Sequence, residues 1–263
     1  MNWDSVAKSV IPYIFKIETP RGHGTGFFCH YFEVANAVVV ATAYHVVEHS
    51  HKWEQPIRFI LASGESVLFK HPDYAILSNQ NTDSALIIVP QMSLHAAKIN
   101  LPETLLNLLP PTQTLPIGCE VAWMGYPSIA PDNLCFFSGA ISAWLEYRKA
   151  YLIDGVAING VSGGPVMFQN ADLGCQIIGF ITAYIPNRAT GEAAPGLSVA
   201  QDVSYLLRTI ATIKSIEDAQ KRQNELVQHQ AADGPAGANP SQESAAPSGI
   251  ETKPEDSTNR ANK

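Results

Sequence analysis

Apolar residues along this chain come in short blocks bounded by polar and turn-forming residues. From Val34 to Ala41 the side chains are almost all aliphatic, and the block ends at Thr42-Ala43-Tyr44-His45. A run of that length reads as a buried strand giving way to a turn, which places His45 at a strand end. A second block, Ala85-Leu86-Ile87-Ile88-Val89, follows Asn81-Thr82-Asp83-Ser84, so Asp83 stands at the mouth of another strongly β-prone segment. Asp73 stands similarly before Tyr74-Ala75-Ile76-Leu77. No block approaches the roughly 18 apolar residues of a membrane-spanning helix. Beyond Gln201 the pattern changes. Asp202 is a candidate N-cap before Val203-Ser204-Tyr205-Leu206-Leu207, and polar, glutamine-rich sequence to Gln230 continues a predicted helix over 202–230. From Ala231 to Lys263 the chain is Ala, Gly, Pro, Ser and charge, with too little apolar surface to offset the entropy of folding, and 231–263 is expected to be disordered.

Composition agrees with a globular body. With 263 residues, 46% hydrophobic and 16% charged, the chain can bury a large core. The formal net charge of -7 disfavours nucleic acid and anionic membrane surfaces, which call for basic patches, so neither is expected as a partner. Met1-Asn2-Trp3-Asp4-Ser5 carries an acid where a secretory signal carries positive charge, and a cytoplasmic protein is expected. Cys29, Cys119, Cys135 and Cys175 lack C-x-x-C spacing and then read as reduced thiols.

The densest chemical signal is Gly160-Val161-Ser162-Gly163-Gly164-Pro165. Glycines let the backbone bend sharply enough for one hydroxyl and two neighbouring N–H groups to face the same point, which acyl transfer requires. A plain turn uses the same residue types, so the partners decide. His45 supplies a base, since an imidazole of ordinary pKa near 6.5 is competent at neutral pH. Asp83 supplies the carboxylate that orients it, with Asp73 as the competing acid. His45-Val46-Val47-Glu48-His49 also spells H-x-x-E-H, a zinc pattern when it lies on a helix. Its two central β-branched residues disfavour that helix. Glu48 and His49 are therefore expected on a solvated turn, and no metal or other cofactor is expected. His23, His30, His51 and His71 read as ordinary surface or strand-end residues.

With His45, Asp83 and Ser162 in that order, the chain resembles the chymotrypsin-like serine proteases, and particularly their bacterial trypsin-like, HtrA-like branch. The resemblance covers roughly Val10 to Leu207. It includes His23-Gly24-Thr25-Gly26-Phe27-Phe28, His71-Pro72-Asp73-Tyr74, Gly118-Cys119-Glu120-Val121 with Gly125-Tyr126-Pro127, Ser138-Gly139-Ala140-Ile141-Ser142 and Ile178-Gly179-Phe180-Ile181-Thr182-Ala183. It implies an all-β protease domain over 1–207, built of two six-stranded antiparallel Greek-key barrels at about 10–100 and 112–200. A C-terminal helix is expected to pack against the second barrel. It also implies a serine endopeptidase that cleaves intracellular protein or peptide substrates through an acyl-enzyme. Ser162 would be the nucleophile, His45 the base and Asp83 its orienting acid, with the N–H groups of Gly160 and Ser162 as the oxyanion hole.

Carried over from the family, the primary pocket is lined by Val156, Thr182, Ala183, Tyr184 and Gly196. None is acidic, so cleavage after small or medium apolar residues is expected, with Tyr184 narrowing the pocket. Val161 stands where digestive members carry an acid that pairs with a newly cut N-terminus, so assembly without zymogen cleavage is expected. Restraint must then come from narrow specificity, a regulatory protein partner or an inactive resting arrangement of loops. The 58 residues after Tyr205 are fewer than a helix plus a PDZ module would need, and no such module is expected. The competing reading is a protease-fold binding module without turnover.

Overall fold

A computed structural model describes residues 2–186 and 193–232, with side chains at 184–186, 193–195 and 228–232 left aside. The disorder expected over 231–263 falls, from residue 233 onward, outside the described residues, and so does the Tyr184 side chain expected to narrow the pocket. A short helix α1 (Trp3–Val10) precedes seven strands interrupted by helix α2 (Tyr44–Trp53): β1 (Ile14–Thr19), β2 (Gly22–Phe32), β3 (Ala37–Ala43), β4 (Ile57–Leu61), β5 (Ser66–Phe69), β6 (Ala75–Asn79) and β7 (Ser84–Pro90). They form one antiparallel sheet in the order β5-β4-β1-β2-β3-β7-β6. Helix α3 (Gln91–Ala96) leads to β8 (Asn107–Leu108), β9 (Glu120–Gly125), β10 (Cys135–Leu145), β11 (Ala150–Asp154), β12 (Pro165–Asn170), β13 (Gly174–Pro186) and β14 (Ala193–Asp202), then α4 (Ser204–Ala232).

In the second sheet β12-β9-β10-β11-β14-β13 closes on itself through the β12–β13 pairing, making a six-stranded barrel, and β8 adds in parallel to β13. The fold class is the expected all-β, double-barrel one with a C-terminal helix. Its first half differs from a six-stranded closed barrel: it is a seven-stranded half-barrel whose edges, β5 and β6, are not paired to each other among the described residues.

Strand β3 explains how the halves meet. All seven of its residues are buried. Side chains alternate across a strand, so Val38 and Val40 enter the core of the first sheet, while Val39, Ala41 and Ala43 join the core shared with the second. Phe27 and Phe28 of β2 divide the same way, as do Leu86 and Ile87 of β7. The strand is shorter than the aliphatic run from Val34: residues 33–36 form a turn in which Asn36 takes φ 48°. Asn tolerates that left-handed conformation better than the neighbouring aliphatics.

Helix α4 carries Leu206 and Ile213 into the second core. It also reaches the β2–β3 turn, where Glu217, 5% exposed, accepts a hydrogen bond from Val34 N–H at 2.9 Å and Lys221 pairs with Glu33 at 2.8 Å.

Candidate active site

His45 is the second residue of α2, which follows β3 directly, and Asp83 lies just before β7, the strand paired with β3 through Ala43↔Ser84. That pairing brings the two together. His45 Nδ1 is 2.6 Å from Asp83 Oδ2, His45 N–H donates to Asp83 Oδ1 at 2.9 Å, and Tyr44 N–H donates to the Asp83 carbonyl at 2.9 Å. A carboxylate only accepts, so Nδ1 carries the proton and Nε2 is left as the basic nitrogen. Both side chains are partly open to solvent, 46% for His45 and 32% for Asp83. Asp73 is exposed on a turn, its N–H bonded to the Lys70 carbonyl, and makes no hydrogen bond to His45 among the described residues.

The His45–His49 segment is helical, contrary to the expected turn. Helices leave their first N–H groups without intrahelical acceptors, and here Asp83 satisfies two of them while its charge faces the positive end of the helix. That cap outweighs the β-branched pair Val46-Val47. Glu48 is tied to Lys52 at 2.6 Å one helical turn on. Among the described residues no three His, Cys, Asp or Glu side chains gather as metal ligands.

The turn from Gly160 to Pro165 is bound on almost every side. Gly160 takes φ 92° and Gly163 φ 86°, values that favour glycine. A β-carbon at Gly163 would strike the Thr25 carbonyl and the Thr42 hydroxyl, and would stand 3.0 Å from Ala43 N, so the turn presses against the end of β3 two residues before His45. Val161 N–H bonds to the Ile158 carbonyl, Gly163 N–H to Ile181 and Gly164 N–H to Val161. The N–H groups of Gly160 and Ser162 have no acceptor among the described residues. Ser162 is partly exposed and its hydroxyl makes no hydrogen bond among the described residues, including to His45. Such bonds are often long in a free site and tighten once substrate is bound.

The pocket residues carried over from the family fall on connected segments. Ile181 N–H bonds to the Gly164 carbonyl, so Thr182 and Ala183 continue along β13 from the nucleophile turn. Ala183 pairs with Val199 and Tyr184 with Ser198 on β14. The Gly196 carbonyl accepts from Gly155 N–H at 2.7 Å, which joins it to the loop carrying Val156, itself 45% exposed.

Four residues at this site escaped the sequence reading. His23, expected to be an ordinary strand-end residue, donates from Nε2 to the Tyr126 carbonyl at 3.0 Å and lies 2.6 Å from the β-carbon position of Gly160. Ser128 N–H donates to the Asn159 carbonyl at 2.7 Å. Thr25 hydrogen-bonds the nucleophile turn, and Asp154 reaches toward Gly196, with its Oδ1 3.8 Å from the β-carbon position there. His23 and Thr25 lie in the His23-Gly24-Thr25-Gly26-Phe27-Phe28 stretch that carries the family resemblance, but nothing in that stretch marks either as a contact of the nucleophile turn.

The closed barrel and the half-barrel sheet make a double-β-barrel fold of the kind that serine proteases have. Solved structures agree. The chain is similar to the serine endoprotease from Yersinia pestis, at 18% identity and a TM-score of 0.59 over 81% of this chain and 66% of that one, and so spans slightly less than two thirds of its length. It is also similar to Rv3671c from M. tuberculosis, solved as the inactive form of a serine-to-alanine mutant, at 18% identity and a TM-score of 0.54 over 88% of this chain and 93% of that one. No protein-family model and no curated protein matches the sequence.

Proposed function

We propose that the chain is a serine endopeptidase that hydrolyses peptide bonds of protein substrates, within the HtrA-like branch by its motifs. Ser162 Oγ attacks the carbonyl carbon as His45 Nε2 takes the hydroxyl proton, and Asp83 holds the imidazolium that results. The acyl-enzyme forms when that proton passes to the leaving amine, and water, activated by the same imidazole, releases the acid. The observation that carries this reading is the state of the turn. Its other N–H groups are engaged, and the two without acceptors, on Gly160 and Ser162, are those an oxyanion between them needs.

A fluorophosphonate probe tests the reading against that of a binding module without turnover. The wild type should label, and Ser162→Ala should not. A wild type that stays unlabelled while a control protease reacts would sink it.

For specificity we infer cleavage after small or medium apolar residues, from the uncharged Val156, Thr182, Ala183 and Gly196. Asp154 favours a second reading, because its carboxylate borders the space toward which a side chain at 196 would point and could pair with Lys or Arg. Cleavage-site profiling separates the two. Apolar cut sites unaffected by Asp154→Asn support the first, whereas basic sites lost in that variant support the second.

A further inference from the structure

We propose that Thr25 is a positioning residue, whose hydroxyl holds the nucleophile turn in its oxyanion-binding form before substrate arrives; the inference rests on the acyl-transfer reading above. Thr25 is fully buried in β2, at a place where valine would fill the same volume. What valine lacks is the hydroxyl, and that hydroxyl is used twice. It donates to the Gly160 carbonyl at 2.8 Å and accepts from Tyr126 N–H at 3.0 Å. The Thr25 N–H donates to the Ser162 carbonyl at 2.8 Å, and its carbonyl accepts from the Thr42 hydroxyl at 2.7 Å. One residue therefore grips the turn at two carbonyls and connects it to β3, three residues ahead of His45.

The consequence follows from peptide geometry. In a trans peptide the C=O and N–H point in opposite directions. The Asn159 carbonyl is held by Ser128 N–H and the Val161 carbonyl by Gly164 N–H, so the N–H groups of Gly160 and Ser162 are turned the other way. The peptides that follow each of these are the ones Thr25 fixes, through the carbonyls of Gly160 and Ser162. Gly160 has intrinsic backbone freedom, since glycine rotates between backbone regions at little cost. The Thr25 hydroxyl acts on that freedom directly. Val161, fully buried and apolar, offers no charge that could anchor the turn instead.

Replacing Thr25 by valine leaves a buried carbonyl and a buried N–H without their partner, and the turn relaxes to repair them. The test compares wild type, Thr25→Ser and Thr25→Val for kcat and KM on a cleaved peptide and for the rate of fluorophosphonate labelling. It adds the amide NMR signals of glycine-labelled protein. Thr25→Val is expected to lower kcat and the labelling rate on the order of 10- to 100-fold, the scale of a slightly misplaced reacting group. KM should move little, and Thr25→Ser should stay within about threefold of wild type, a rescue that general loss of packing would not give. The Gly160 amide signal should shift in Thr25→Val while that of Gly64, in a distant hairpin turn, stays in place. Should Thr25→Val not fold, Thr25→Ala makes the same comparison with less bulk. A folded variant lacking the hydroxyl that labels within about twofold of wild type, or leaves the Gly160 signal unmoved, overturns the proposal. A wild type that does not label, with a Gly160 signal that still responds, removes the peptidase reading and supports the clamp.

Discussion

At Asp83 the backbone takes φ 48°, a left-handed conformation that aspartate tolerates because its short polar side chain can bond locally. The same residue orients the His45 ring and caps α2 through His45 N–H. Two substitutions separate these effects. Asparagine keeps an oxygen for the cap and tolerates the backbone angle, but presents no carboxylate to the imidazole. Asp83→Asn should unfold near the wild-type temperature while kcat falls about 1,000- to 10,000-fold. Asp83→Ala should lose that activity and also about 2 kcal/mol of stability, from the missing cap and the strained angle. Thermal unfolding read beside peptide hydrolysis checks both, and near-normal turnover in Asp83→Asn would remove Asp83 from the mechanism. The three residues proposed to react could be singled out because each stands beside a strong local pattern: an aliphatic block for His45, a β-branched block for Asp83, clustered glycines for Ser162. Thr25, His23, Ser128 and Asp154 act through contacts between segments far apart in sequence, and no local pattern announces such contacts.

Among the elements, α2 and α4 show where local propensity stops being informative. The residue that caps α2 lies across the sheet, 38 positions from His45, so a window around His45 sees only the unfavourable valines. At the start of α4 the reading came closer. Asp202 accepts from the Ser204 hydroxyl beside the helix start, yet the residue is only 9% exposed and one of its carboxylate oxygens has no partner among the described residues. Burial holds its pKa above the ordinary carboxylate value, and the hydrogen bonds from Ser204 oppose that shift without cancelling it. A raised folded-state pKa means that the native chain binds the proton more tightly than the unfolded chain. The group therefore stabilises the fold at low pH, and that contribution is lost as pH rises through the folded value. Asp202→Asn removes the buried charge, so at pH 7.5 it should raise the unfolding temperature by about 2–4 °C, equivalent to about 1 kcal/mol. The difference should shrink as pH falls through the raised folded-state value, where wild-type Asp202 takes up its own proton. A variant less stable than wild type at pH 7.5 would show that the charge is better compensated than its burial implies.

At the scale of the molecule, stability rests on two apolar cores that share the strands between them. The alternating burial of β1, β2, β3 and β7 makes the sheet of the first half a wall of the second core. A packing defect in that wall is therefore felt by both the His45–Asp83 pair and the Ser162 turn. Covalent links contribute nothing to this arrangement, because all four cysteines are unpaired. Burial raises the Cys29 thiol pKa strongly and pushes that of Cys175 up to about 11, so both stay protonated and inert near neutral pH. Two consequences can be measured. Dithiothreitol should change the unfolding temperature by less than about 1 °C, whereas breaking a native disulfide costs about 2–4 kcal/mol and would lower it by several degrees. Cys29, 3% exposed, should react with a thiol reagent only as the chain unfolds, at the rate of unfolding. A large fall in stability on reduction would mean that the protein in solution is cross-linked. That would also count against the cytoplasmic location expected from the N-terminal sequence, and with it against intracellular proteins as substrates.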